Sequence, residues 1–277
     1  MNTLDINEFF NLIKGKIIDN SIKANLYSEE REIELYSQNN GIVRVSQKSV
    51  YNVNLYKLFY LTVVHNNFEI KENQLIGKIF QIPHNIEKKL LDQLFNLFDA
   101  PLISVKPHIK HNVAVIVIGK ERYPFGKDDS YSEKLSKKLS PYNGNIIYKE
   151  ISEEDSYKIV NALKRALSCC DMVFVLHNKS MDYQIVEKTI ELLKVSEILP
   201  IFISPGNHIK FFYLGDKPVF ILDEEILNLK ISALNILLSR LVCGDKLNFE
   251  EMAKYSYGGI CFFCPICVYP VCPFGKY

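Results

Sequence analysis

Six uninterrupted apolar residues, Val113-Ala114-Val115-Ile116-Val117-Ile118, constrain this chain more than any other feature. A strand with one wet face alternates apolar and polar residues. A strand with no polar interruption is covered on both faces, as in a parallel sheet lying between two helical layers. The same texture predicts strands at Asn145–Ile151, Met172–Leu176, Ile201–Ile203 and Val219–Leu222. Helical spacing predicts helices between them. One covers Ser130–Leu139, one carries Ile159, Leu163, Ala166 and Leu167, one runs from Tyr183 to Val195, and one carries Leu234, Leu237, Leu238 and Leu241. Ser152 is expected to cap the second of these, with Glu153-Glu154-Asp155 complementing the positive end of the helix. Strands alternating with helices make βαβ units. The fold class read from the chain is therefore α/β, a doubly wound and mostly parallel sheet.

The front of the chain has a different texture. Residues 1–40 read as a helix, with Leu4, Phe9, Phe10, Leu12, Ile13, Ile17 and Ile18 on one stripe, followed by a polar stretch. From 41 to 82 the β-branched and aromatic runs, including Ile42, Val43, Val45, Val50, Tyr51 and Val53, predict a smaller β-rich module. A helix bearing Leu90, Leu91, Leu94, Phe95 and Phe98 should follow, ended by Pro101. The expected division is a β-rich N-terminal module at 1–109, an α/β domain at 110–249 and an irregular cysteine-rich tail at 250–277.

Composition excludes several classes. Of the 277 residues, 48% are hydrophobic and 23% charged, which suffices for a buried core without disulfide staples. Lys and Arg total 33 against 32 Asp and Glu, a formal net charge of +1, so nothing steers the chain towards nucleic acid or an anionic membrane. No apolar run is long enough to span a bilayer. The N-terminus lacks the basic and apolar regions of a secretory signal, so the expected localisation is cytoplasmic. There thiols stay reduced and clustered cysteines bind metal.

Four of the seven cysteines fall in the last 17 residues, as Cys261-x2-Cys264-x2-Cys267-x4-Cys272 followed by Pro273. Cys-x2-Cys spacing lets the chain curl with both sulfurs inward. Three such cysteines in succession wrap one compact object, which suits a [4Fe–4S] cluster; the bacterial ferredoxin run differs by one residue in its last gap. Structural zinc is the alternative, but a zinc tetrahedron is usually closed by two well-separated pairs, and here only two residues separate them. Cys169, Cys170 and Cys243 read as core thiols, and Lys276 as a cation able to offset a cluster's negative charge.

In open α/β sheets ligands sit beyond the carboxyl ends of the strands. Those ends are Gly119-Lys120-Glu121, His177 to Asp182 and Ser204 to Asn207. The segment Ile118 to Tyr123 followed by Asp129-Ser130-Tyr131 resembles the Thr-Gly-x-Glu opening of the molybdopterin-binding (MoaB/MogA/MoeA-like) domain. Asp171 before a buried strand, then Ser180 and Asp182, resembles a later stretch of that family, and Pro205-Gly206-Asn207 and Gly215 to Val219 resemble two more. Gly258 to Lys276 is similar to the cysteine tail of one subgroup. The chain departs from the family at His177-Asn178, where the family has two glycines, at Ile118 for Thr, and at Asp223-Glu224 for Pro-Gly.

The resemblance implies a role in handling or maturing the molybdenum cofactor. Gly119, Glu121, Asp129, Ser180, Asp182, Pro205 and Gly206 would contact a molybdopterin phosphate, and Glu121, Asp129 and Asp182 could take Mg²⁺. It further implies a protein partner at the tail and a homo-oligomer. The other reading is a non-enzymatic descendant in which the tail acts as a metal-dependent interaction or redox-sensing module. No catalytic residue is legible.

Overall fold

The computed structural model describes residues 3–99, 101–119, 130–179 and 181–276. The chain divides into two compact units, one of residues 1–108 with 276–277 and one of residues 109–275.

The first unit contains antiparallel sheets around a core that includes Phe9, Ile13, Ile33, Leu35, Phe59, Ile79 and Leu91. Its opening helix, Ile6–Ile13, starts at Asp5, whose carboxylate accepts from the backbone N–H of Asn7 and Glu8, both at 2.8 Å. Two sequence expectations fail here. The polar stretch after the helix is a pair of strands, Ile22–Tyr27 and Glu32–Ser37. In the second, burial alternates strictly, because Ile33, Leu35 and Ser37 point inward and the charged residues outward. Conversely, Val50, Tyr51 and Val53 lie on a helix, Gln47–Tyr56, not a strand. Val53 is buried and Tyr51 exposed, so β-branched composition was overridden by a helical burial pattern.

The second unit is the doubly wound body. Its elements are β1 His111–Ile118, α1 Ser130–Leu139, β2 Gly144–Ser152, α2 Ser156–Cys169, β3 Met172–His177, α3 Tyr183–Leu192, β4 Ile198–Leu199, β5 Lys210–Leu214, β6 Lys217–Asp223, α4 Ala233–Leu241 and α5 Phe249–Lys254. The strand order is β2-β1-β3-β6-β5-β4. The first four strands are parallel; β5 pairs antiparallel with β6, and β4 antiparallel with β5. The path from β1 to β2 moves one way across the sheet, and the path from β2 to β3 returns past β1. Right-handed crossovers therefore put α1 and α2 on opposite faces.

The apolar run of β1 behaves as read: every residue from Val113 to Ile118 is buried. Ala114, Ile116 and Ile118 pack with Val173, Val175, Val219 and Ile221 against Ile159, Leu163 and Ala166 of α2. On the aromatic side, Phe220 stacks between Phe174 at 5.0 Å and Phe211 at 4.8 Å. Such stacks add about 1 kcal/mol each beyond area burial.

Two expectations in this unit are corrected. Ser152 ends β2, and the cap of α2 is Asp155, whose Oδ1 accepts from Lys158 N–H at 2.9 Å. The carboxylate sits where the unpaired N–H groups point. Ile201–Ile203 is not a strand. The sheet is instead completed by β5, antiparallel to β6, and Ser204 forms a bridge with Ile260 of the cysteine segment.

Candidate functional site

Two places in the second unit gather the residues of interest. The first is the strand-end crevice. The order reverses between β1 and β3, so the chain leaves their carboxyl ends towards opposite faces of the sheet, the place where open α/β sheets take ligands. Gly119 follows β1, while His177 ends β3 directly beside Asp223 at the end of β6. Gly119 has φ +125°, a backbone conformation that a side chain would strain, and its N–H donates to the Ser152 carbonyl at 2.9 Å.

The polar groups around this crevice are engaged with one another. Nδ1 of His177 donates to the Asn178 carbonyl at 2.9 Å. Asp182 caps α3, with Oδ1 accepting from Gln184 N–H at 2.9 Å. Asp223 Oδ1 accepts from Glu225 N–H at 2.8 Å and opens the 3-10 turn Glu224–Asn228. Tyr131 donates its hydroxyl to Glu224 at 2.8 Å, and Lys179 lies 3.5 Å from Glu225. Glu121, Asp129 and Ser180 lie outside the described residues.

Pro205 and Gly206 are placed elsewhere. The Pro205 carbonyl accepts from Ala233 N–H at 2.8 Å, at the start of α4. Gly206 has φ +116°, and a Cβ there would stand 2.7 Å from the Ala233 Cβ. These residues seat a helix against a loop. Just before them, Ser204 N–H donates to the Gly259 carbonyl at 2.7 Å, and the Ser204 carbonyl accepts from Cys261 N–H at 2.9 Å. Gly259 itself has no room for a side chain: a Cβ would lie 2.2 Å from the Tyr255 carbonyl oxygen and 2.3 Å from that of Phe202. Three residues thus fasten the beginning of the cysteine segment to the α/β body.

The second place is a cavity of about 260 Å³ beside that fastening, and all four segment cysteines line it. Leu229, Lys230 and Ile231 form part of its wall together with Ile260, Phe263 and Phe274. Cys264 is exposed, and Cys261, Cys267 and Cys272 are half-buried; none is in a disulfide. Among the described residues, no three His, Cys, Asp or Glu side chains stand close enough together to hold a metal. The thiols share one space without being drawn together.

Sequence reading missed the 229–231 wall, which no motif marks because tertiary packing alone brings it there. Lys276 is not on this wall. Its ammonium lies 5.0 Å over the Phe68 ring, and Lys230 is the cation on the cavity. The remaining cysteines divide. Cys170 and Cys243 are buried, whereas Cys169 is exposed, contrary to its reading as core. Burial pushes the Cys170 thiol up to about 12, so it is not a thiolate near neutral pH.

No protein-family model matches the chain, and no curated protein does. Among solved structures it is similar to a tungsten cofactor synthesizing protein MoaB from Pyrococcus furiosus, at 16% identity over 48% of this chain and 92% of that one, with a TM-score of 0.37. It is also similar to a molybdopterin biosynthesis MoeA protein from Pyrococcus horikosii, at 15% identity over 88% and 74%, with a TM-score of 0.38. A third is CinA from Thermoplasma acidophilum, at 15% identity over 42% and 89%, with a TM-score of 0.36. Likeness at this level assigns no ligand, so the residues and the strand order must carry any functional reading. Solved structures similar to this chain thus include MoaB, MoeA and CinA proteins, met at low identity and in part.

Proposed function

We propose that the chain is a molybdopterin-binding-like protein with a metal centre held by Cys261, Cys264, Cys267 and Cys272, acting in the handling or maturation of the molybdenum cofactor. The observation that carries the metal half is that all four thiols line one cavity. Its wall is otherwise largely apolar, and Lys230 would balance part of the charge of thiolate ligands. Thiolate-only ligation selects soft centres such as iron–sulfur clusters and zinc. The Cys-x2-Cys-x2-Cys succession favours [4Fe–4S]. When bound, a cluster of this kind supplies one-electron redox chemistry.

The pterin half rests on the sequence resemblance and on the reversal of strand order between β1 and β3. A pterin phosphate at that switch point would meet the backbone of Gly119 and the N-terminal end of α3 at Asp182. His177-Asn178 and Asp223 narrow this approach. Side chains occupy positions where glycines would open the backbone, and a carboxylate stands at the end of β6. These departures favour a second reading, in which the crevice is closed to pterin and the metal segment is a redox-sensing or interaction module.

Anaerobic purification with iron, sulfide and zinc analysis tests the centre. Stoichiometric iron and sulfide, lost in Cys264→Ser, is the expected result. Colourless protein with one zinc overturns the cluster, and metal content unchanged by Cys264→Ser overturns the ligand set. Titration with molybdopterin tests the crevice. Binding supports the first reading. Binding that appears only after His177→Gly with Asn178→Gly supports the second.

A further inference from the structure

The cysteine segment exposes more apolar surface than its cavity accounts for. Tyr257, Ile260, Phe262, Phe263, Ile266 and Val271 are each about two-thirds exposed or more, with Phe262 and Tyr257 at 81%. Tyr257, Ile266 and Val271 do not line the cavity, so filling it leaves them bare. The apolar surface continues onto Phe202, whose carbonyl abuts Gly259 and whose ring packs edge-on against Phe249 at 6.4 Å. Scattered exposed hydrophobic residues are ordinary; six large ones within fifteen residues of one folded segment, three of them around one cavity, mark an interface.

We infer that this surface is a two-fold interface with a second copy of the chain. Charge is the first argument. The twenty residues from 256 to 275 contain no Asp, Glu, Lys, Arg or His. Transient partners are selected and steered by complementary charge, which this segment lacks. Lipid surfaces are engaged by amphipathic helices and basic residues, and this segment has neither. The segment itself brings no charge to its own copy; charges beside it include Lys230 on the cavity wall and Glu250 next to Phe249. The formal net charge of +1 sets almost no long-range repulsion between two chains. Homodimer interfaces are also the more apolar class, and two-fold pairs are the commonest oligomers.

Area is the second argument. Six such side chains with Val268 offer on the order of 100 Å² each, so roughly 700 Å² in all. A stable interface takes about 800 Å² from each partner, which the patch with Phe202 and Phe249 supplies. The dimer would bring two cysteine cavities close to one dyad and cover the mouth of each. The inference stands on the exposed residues outside the cavity and does not require the metal reading.

Sedimentation velocity of the full chain over a dilution series tests it, with metal analysis on the same samples. The expected result is a dimer at tens of micromolar. Ile266→Ser with Val271→Ser, both outside the cavity and exposed, should weaken self-association by roughly tenfold or more and leave metal content as in the parent chain. A monomer throughout the series overturns the inference, as does a dimer indifferent to the double variant. Monomers that associate only with phosphatidylcholine vesicles overturn it in favour of a lipid surface. A dimer that carries no metal supports the interface while removing the metal centre, so the two failures are distinguishable.

Discussion

The strand-end crevice and the cysteine cavity lie in the same unit and use their polar groups in opposite ways. Around the crevice, Asp182 and Asp223 cap backbone N–H groups, Glu224 accepts from Tyr131, and His177 donates to its neighbour's carbonyl. Any ligand there must compete with bonds already made, or be read by the backbone. Around the cavity, four thiols face one largely apolar space with no disulfide among them. A polar residue at a conventional position is therefore weak evidence of ligand binding when its own backbone has claimed it. Residues set around one space and committed to no disulfide are stronger candidates.

The largest test of that contrast is Gly259→Ala. The new methyl group would fall 2.2 Å and 2.3 Å from two backbone oxygens that cannot rotate away. A cost of about 2–3 kcal/mol is expected, concentrated where the cysteine segment joins the body. Thermal unfolding and metal analysis should show a lowered midpoint together with loss of the proposed metal centre. Intact metal uptake at a lowered midpoint would mean that the fastening does not position the thiols.

A smaller effect separates the two roles open to Asp182. As a cap, Asp182→Ala should cost about 1 kcal/mol while Asp182→Asn stays within a few tenths, because an amide oxygen accepts the same bond. Equal losses in urea unfolding would show that the negative charge itself is needed, as cation or ligand binding would require.

The smallest effect is a pH dependence on β2, next to the crevice-forming strand. Arg165 hydrogen-bonds Glu150, with Tyr148 adding a second bond, and together they hold its carboxyl below the ordinary value of 4.5. A depressed folded value means that the stability from this group is complete above about pH 4.5 and is lost as pH falls through the lower folded value. Glu150→Gln should flatten that part of the acid-unfolding profile while leaving neutral stability lower. An unchanged profile would place the acid sensitivity in other carboxylates.

The body of the fold was legible because its signals are local. Six apolar residues in β1 and the 3.6-residue spacing in α2 and α4 each name an element without reference to the rest of the chain. The errors came where neighbours decide. Gln47–Tyr56 has the β-branched composition of a strand, yet its burial follows a helix. Ile201–Ile203 has a strand's composition, yet no sheet position receives it, since β5 pairs with β6 instead. The cap of α2 moved from Ser152 to Asp155 because β2 extends further than its apolar residues suggest.

For the candidate sites, the sequence by itself determined the spacing of the four cysteines, the glycine after β1 and the acidic residues near three strand ends. Covalent spacing and apolar period are properties of short segments, so one chain suffices to read them. Only the tertiary structure decided that Pro205 and Gly206 seat α4, that Leu229 to Ile231 wall the cysteine cavity, and that Ile266 and Val271 stand uncovered. Those facts depend on which distant residues exclude water from one another, and no short segment encodes that.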